Sequence, residues 1–166
     1  GVGSFAVQIA KVFDAQVTAV CGPTNVELVH SLGADRVIDY RAEDVTAGDA
    51  QFDIVFDTIG NETRHSCQRI LTESGHFICI NPSKKDIAAM LRTRVLSSVA
   101  PPQQRISTFL ALPRGQQLTE IARLVDAGRI RPVVDRVFSL ADFAEAIAYS
   151  KTGRTKGKIA LRVRAS

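Results

Sequence analysis

Tryptophan is absent from the 166-residue sequence, methionine occurs once and tyrosine twice, so aromatic residues make up only 6% of the chain. Proteins that bind single-stranded nucleic acid stack bases on aromatic side chains, and here the net charge of +4 is spread over 21 basic and 17 acidic residues. Nucleic acid is therefore not an expected partner. The three cysteines, Cys21, Cys67 and Cys79, are odd in number and lack C-x-x-C spacing. That argues against a disulfide framework or a zinc knuckle, and the expected setting is reducing and cytoplasmic. His30, His65 and His76 stand apart without metal-ligand spacing, so no metal site is expected and all three read as surface or cap residues. No apolar run approaches a membrane span, and no basic, Ser-rich or apolar leader is visible. No membrane partner follows from this composition.

What is present is 45% hydrophobic residues, enough in this length for a sizeable core. The chain opens GVGSFAVQIAKVF, which reads G-x-G-x-x-A through Gly1, Gly3 and Ala6 and continues at helical period through Val2, Phe5, Ala6, Ile9 and Phe13. Glycines at a first helical turn leave backbone N–H groups and the positive helix end open to an anion such as a pyrophosphate. Glycines that merely let a helix pack tightly on a sheet would look the same.

Behind this helix, apolar β-branched runs alternate with helical ones. Strands are predicted at residues 16–21, 36–39, 52–57, 76–80, 105–112, 132–138 and 158–163. Helices are predicted at 25–32 stopped by Gly33, at 61–71, at 84–96, at 116–127 stopped by Gly128, and at 140–150, with 41–50 a loop or weak helix. Gly75 reads as a turn and Pro101-Pro102 as a break. This alternation predicts an α/β fold with a parallel sheet covered on both faces, whose ligands sit where strands end. The strand ends are Cys21 and Gly22, Asp39 and Tyr40, Asp57 to Gly60, and Ile80 to Pro82. Between Lys151 and Ser166 lie six basic residues and no acid, read either as a solvated strand edge or as an anion contact.

Taken together, GVGSFAVQIAKVFDAQVTAVCGPTNVELVHSLGADRVIDYRAED, FDIVFDTIG and GRIRPVVDRVFSLADFAEAIAYSKTGRTKGKIAL resemble the medium-chain dehydrogenase/reductase superfamily, in its quinone oxidoreductase-like, NADPH-dependent branch. The resemblance implies a Rossmann-type doubly wound sheet without its first strand over residues 1–130, and over 131–166 a strand-helix-strand return belonging to a catalytic domain. It implies an enzyme in which NADPH delivers hydride to a quinone or other α,β-unsaturated carbonyl, with no turnover expected of this chain alone. By the same resemblance Gly1, Val2 and Gly3 form the pyrophosphate turn. Cys21, Thr24 and Asn25 close the second Rossmann strand, where an NAD-preferring member would carry an acid. Thr24 and Asn25 stand where a basic residue often follows in the family.

Tyr40 and Arg41 match the flank of the adenosine phosphate, Asp57, Ile59 and Gly60 a turn facing the cofactor, and Ile80 and Asn81 the nicotinamide ribose. For Asp57 a purely turn-forming role is the competing reading. The resemblance also implies a homodimer through an edge strand near 105–112.

Other readings stay beside this one: a zinc-dependent alcohol dehydrogenase of the same superfamily, or a non-catalytic nucleotide-binding or dimerisation module. A short-chain dehydrogenase needs Tyr-x-x-x-Lys on one helix, and Tyr149 is followed instead by Lys151. A methyltransferase would want an acid at the end of its second strand, and that strand offers none.

Overall fold

The computed structural model describes residues 1–60, 62, 64–81, 87–88, 104–108 and 115–163. In chain order the elements are α1 (Val2–Val12), β1 (Thr18–Cys21), α2 (Val26–Ser31), β2 (Arg36–Asp39), β3 (Phe52–Asp57), α3 (Arg64–Cys67), β4 (Leu71–Cys79), β5 (Arg105–Ser107), α4 (Gly115–Asp126), β6 (Val134–Ser139), α5 (Phe143–Lys151) and β7 (Lys158–Arg162). Every described strand pairing is parallel: β1 with β2, β3 with β4 and β4 with β5, and β6 with β7. The expected α/β architecture with parallel pairing is thus present. The chain folds as two compact units, residues 1–43 with 113–166, and residues 44–112.

In the first unit, α1 turns Val7 inward against Leu32 and Ala34, and Val17, Ala19, Leu28, Val29, Val37 and Val133 pack around them. Gly33, at φ +99°, lets the chain leave α2 and enter β2 within a few residues. The buried Gln8 joins α1 to the segment before β6. Its amide nitrogen donates to the carbonyls of Ser4 (2.8 Å) and Arg131 (3.1 Å), and its Oε1 accepts from the Arg131 amide (2.8 Å). With donor and acceptor both engaged, the cost of burying this amide is offset by its hydrogen bonds. Beside it, the Asp35 carboxylate accepts from the Val17 amide at 2.7 Å and from Lys11 Nζ at 2.9 Å, tying α1, the start of β1 and the start of β2 together.

The second unit is built on Phe77, which is fully buried with Cys67, Ile70, Leu71 and Cys79, while Val45, Phe52, Val55 and Ile106 cover them. The predicted helix over 61–71 is shorter than expected. The described part is α3, a 3-10 turn over Gln68–Ile70, and then strand from Leu71 onward. Ile70 and Leu71 are both core residues, so they face inward as the chain enters β4 rather than lining one face of a helix. The expected turn at Gly75 appears inside β4 as a bulge, because Phe52 pairs with Leu71 while Ile54 already pairs with His76. A Cβ at Gly75 would lie 2.9 Å from the Thr72 carbonyl, which is why glycine occupies the bend. Gln104 braces the bulge by donating to the carbonyls of Gln68, Leu71 and Thr72.

Of the helix predicted at 84–96, only residues 87 and 88 are described, and they are helical; Pro101-Pro102 lies outside the described residues. The strand predicted over 105–112 is described as β5, and 109–112 lie outside the described residues. His76 is not a surface residue: it is half-buried, with Nε2 2.5 Å from Ser107 Oγ across the β4–β5 pair.

The Asp35 brace predicts a pH response. Its carboxyl is held below the ordinary 3.8 by the Val17 amide first and the Lys11 side chain second. A depressed carboxyl stabilises the fold above the unfolded pKa, and that contribution is lost as pH falls through the folded value. Urea midpoints measured from pH 7 down to pH 3 should therefore fall less steeply for Asp35→Asn than for the wild type; parallel curves would count against the brace.

Candidate functional site

The end of β1 is where the first unit gathers most of the expected residues. Cys21 pairs in register with Asp39, and the Tyr40 amide donates to the Cys21 carbonyl at 3.2 Å, so the two strands finish together. Pro23 then starts a 3-10 turn through Asn25, closed by the Asn25 amide on the Gly22 carbonyl at 2.9 Å, and α2 follows. The Tyr40 ring lies over this turn: a Cβ at Gly22 would stand 3.3 Å from the phenol oxygen. Glycine here leaves the exposed tyrosine room to lie against the strand end. Arg41 is exposed beside it, its amide bonded to Asp39 Oδ1 at 3.0 Å.

Two features of this turn are of the kind a ligand uses. Asn25 Oδ1 is buried with no hydrogen-bond partner, an acceptor waiting for a donor. The Thr24 carbonyl accepts from Lys156 Nζ at 2.8 Å, a contact between residues 132 positions apart. A lysine therefore stands at the place where the sequence showed only Thr24 and Asn25. Lys156 belongs to the basic run after Lys151, whose order along the chain signals positive charge but not which lysine reaches β1. Among the described residues it forms no ion pair with a carboxylate. Cys21 is not an activated thiol: burial first and the Asp39 charge second push its pKa up.

Gly1 caps α1, its carbonyl accepting from Ser4 Oγ at 3.1 Å, with Val2 and Gly3 in the first turn. The first amides of any helix have no partner within it, so this turn presents N–H donors.

In the second unit the turn after β3 is organised by Asp57. Its Oδ1 accepts from the amides of Ile59 (2.8 Å) and Gly60 (2.9 Å), and its Oδ2 from the amide of Glu62 (3.2 Å). The carboxylate thereby shapes the turn by accepting from three backbone amides. Gly60 takes φ +88°, and a Cβ there would lie 2.6 Å from the Asn81 carbonyl. Asn81 Nδ2 donates to the Ile59 carbonyl at 3.3 Å, and the Ile80 amide to the Asp57 carbonyl at 3.2 Å. Asp57, Ile59, Gly60, Ile80 and Asn81 thus meet in one turn, from which Ile59 projects 65% exposed. Nearby Cys67 is inert, since burial above all raises its thiol to about 11.

Among the described residues no group of three His, Cys, Asp or Glu side chains could hold a metal ion, and no helix is long and apolar enough to cross a membrane.

Residues 32–161 match the family model described as zinc-binding dehydrogenase. The chain is 34% identical over 163 residues to the chloroplastic quinone-oxidoreductase QR1 of Triphysaria versicolor, covering 96% of this chain and 48% of that protein. It is 35% identical over 183 residues to the mitochondrial NAD(P)H oxidoreductase RTN4IP1 of Homo sapiens, covering 98% of this chain and 46% of that protein. Among solved structures, the quinone oxidoreductase from Coxiella burnetii superposes with a TM-score of 0.79 at 25% identity, over 99% of this chain and 50% of the other. The chain therefore spans about half the length of the curated relatives it matches.

The Asp57 turn can be tested by its stability. Asp57→Ala leaves three backbone N–H groups without their acceptor and should cost about 1–3 kcal/mol in urea unfolding. Asp57→Asn keeps the oxygen that serves Ile59 and Gly60 and should recover most of the loss; equal loss in both variants would mean that charge, not turn geometry, is what matters.

Proposed function

Because the chain belongs to the zinc-binding dehydrogenase family, in the quinone oxidoreductase-like part of the medium-chain dehydrogenase/reductase superfamily, we propose that it supplies the cofactor-binding part of an NADPH-dependent oxidoreductase. The substrate proposed is a quinone or another α,β-unsaturated carbonyl. The observation that carries the NADPH reading is Lys156, whose ammonium reaches the Thr24 carbonyl at the end of β1. An acid closing β1 itself would repel a ribose 2′-phosphate; β1 closes in Cys21, Asp39 stands beside it at the end of β2, and Lys156 is set against the turn that follows.

The bound nicotinamide would supply the hydride, and the protein's part is to bind and orient it. In this reading the amides of Gly1, Val2 and Gly3 hold the pyrophosphate. The Tyr40 phenol, Arg41, Thr24, Asn25 and Lys156 surround the adenosine phosphate, with Asn25 Oδ1 accepting a hydroxyl proton that the protein leaves unanswered. Asp57 contributes through the backbone it shapes at Ile59 and Gly60, and with Ile80 and Asn81 that turn is proposed for the nicotinamide-ribose half. Residues 1–130 remain the dinucleotide-binding part of the proposal. Residues 131–166, expected to serve a catalytic domain, gain a cofactor contact through Lys156.

The zinc in the family's description calls for a donor set that the described residues do not provide, so no step is assigned to a metal. A second copy is the proposed partner through residues 105–112, supported by β5 standing at the end of the described order β3-β4-β5.

Titrating the protein with NADPH and with NADH, followed by nicotinamide fluorescence, should show tighter binding of NADPH. Lys156→Gln should weaken NADPH about tenfold, as expected for loss of a charge-assisted contact, and leave NADH within about twofold. Equal affinities in the wild type, or no binding by folded protein, would sink the reading.

A further inference from the structure

A lysine ammonium on a four-carbon stem is a poor phosphate ligand unless something holds the backbone that carries it, since its rotamer freedom opposes fixing. Lys156 is exposed, but its backbone between α5 and β7 is held from β6 and from its own loop. The Lys156 amide donates to Asp135 Oδ2 at 3.0 Å, and the same oxygen accepts from the Tyr149 hydroxyl at 2.7 Å. Gly157 runs at φ +134°, where a Cβ would collide with the Val133 carbonyl, and the Lys158 amide donates to that carbonyl at 2.7 Å. At the other end of the loop, Thr152 Oγ1 donates to the Tyr149 carbonyl at 2.7 Å and accepts from the Arg154 amide at 3.2 Å. The Arg136 guanidinium carbon sits 4.1 Å from the centre of the Tyr149 ring, fixing the ring from its face.

Strand β6, helix α5 and the loop thus converge on one carboxylate oxygen. That oxygen is one residue's backbone away from an ammonium whose described contact is a neutral carbonyl.

We propose that Asp135 and Tyr149 are positioning residues for Lys156, so that preference for a 2′-phosphorylated adenosine depends on a tyrosine–aspartate hydrogen bond that does not touch the phosphate. This rests on the reading of Lys156 given above and deepens it. Asp135 places the Lys156 backbone through its amide, and Tyr149 keeps Asp135 from turning toward solvent. The ammonium is then delivered to Thr24 with two of its three donors left for an anion. Asp135 is ionised for this role: the Tyr149 hydroxyl first, then the Lys156 amide, hold its carboxyl below the ordinary range.

The probes are adenosine 2′,5′-bisphosphate and AMP, which differ only in the 2′-phosphate, with dissociation constants measured by calorimetry on the full chain. The wild type should prefer the bisphosphate, and Lys156→Gln should remove that preference. Tyr149→Phe and Asp135→Ala should each reduce the preference about threefold or more while AMP binding stays within about twofold, in line with the loss of one hydrogen bond. In the Lys156→Gln background neither should have a further effect. Asp135→Asn, which keeps the acceptor oxygen, should retain more of the preference than Asp135→Ala, and with Tyr149→Phe it serves if the alanine variant does not fold.

A wild type without preference overturns the Lys156 reading and this inference together. A preference lost in Lys156→Gln but intact in Tyr149→Phe, or equal losses for both nucleotides, overturns the positioning role alone.

Discussion

Parallel pairing is the constraint from which the rest of this structure follows. A parallel pair cannot be closed by a tight hairpin, so each strand must be followed by a crossover that returns the chain to the same end. In the first unit the crossover between β1 and β2 is α2, and between β6 and β7 it is α5. The consequence is that Cys21 and Asp39 finish side by side and the turns that leave them, Gly22–Asn25 and Tyr40–Arg41, are forced together. In the second unit the same rule aligns Asp57 with Cys79, so the turns after β3 and β4 meet as Asp57–Gly60 and Ile80–Asn81. Within each unit the strand-end residues are neighbours because of strand direction, and their chemistry is layered on that.

Within those turns the division of labour differs from what residue type suggests. Asp57 is an acidic residue closing a strand, yet it accepts from three backbone amides, and what it exports is the shape of Ile59 and Gly60. Lys156 looks like one more charge in a basic run, yet its backbone is pinned by Asp135 and Gly157 and its ammonium is carried to β1. Charge that is held in place can select a ligand; the same charge on a free side chain mostly serves the solvent.

Much of this was legible in the order of residues. Short apolar β-branched runs located the strands, and glycines at 33 and 128 marked helix ends that the structure closes with positive φ. The Gly1–Gly3 turn, Cys21, Tyr40 and Asp57–Gly60 could be named because strand ends can be read locally and ligands cluster there. What failed were features set by partners far along the chain. Helix period over 61–71 could not register that Ile70 and Leu71 face the Phe77 core, nor could an isolated His76 announce its bond to Ser107.

The sequence by itself determined the parallel α/β class, the positions of the strand-end turns and the absence of an acid after β1, because each depends on residues within a few positions of one another. Only the tertiary structure decided that Asp57 shapes a turn and that Lys156 occupies the end of β1. Both outcomes depend on which donors and acceptors the folded backbone brings within hydrogen-bond reach. Lys156 and Thr24, separated by 132 positions, carry no local pattern that could announce the contact.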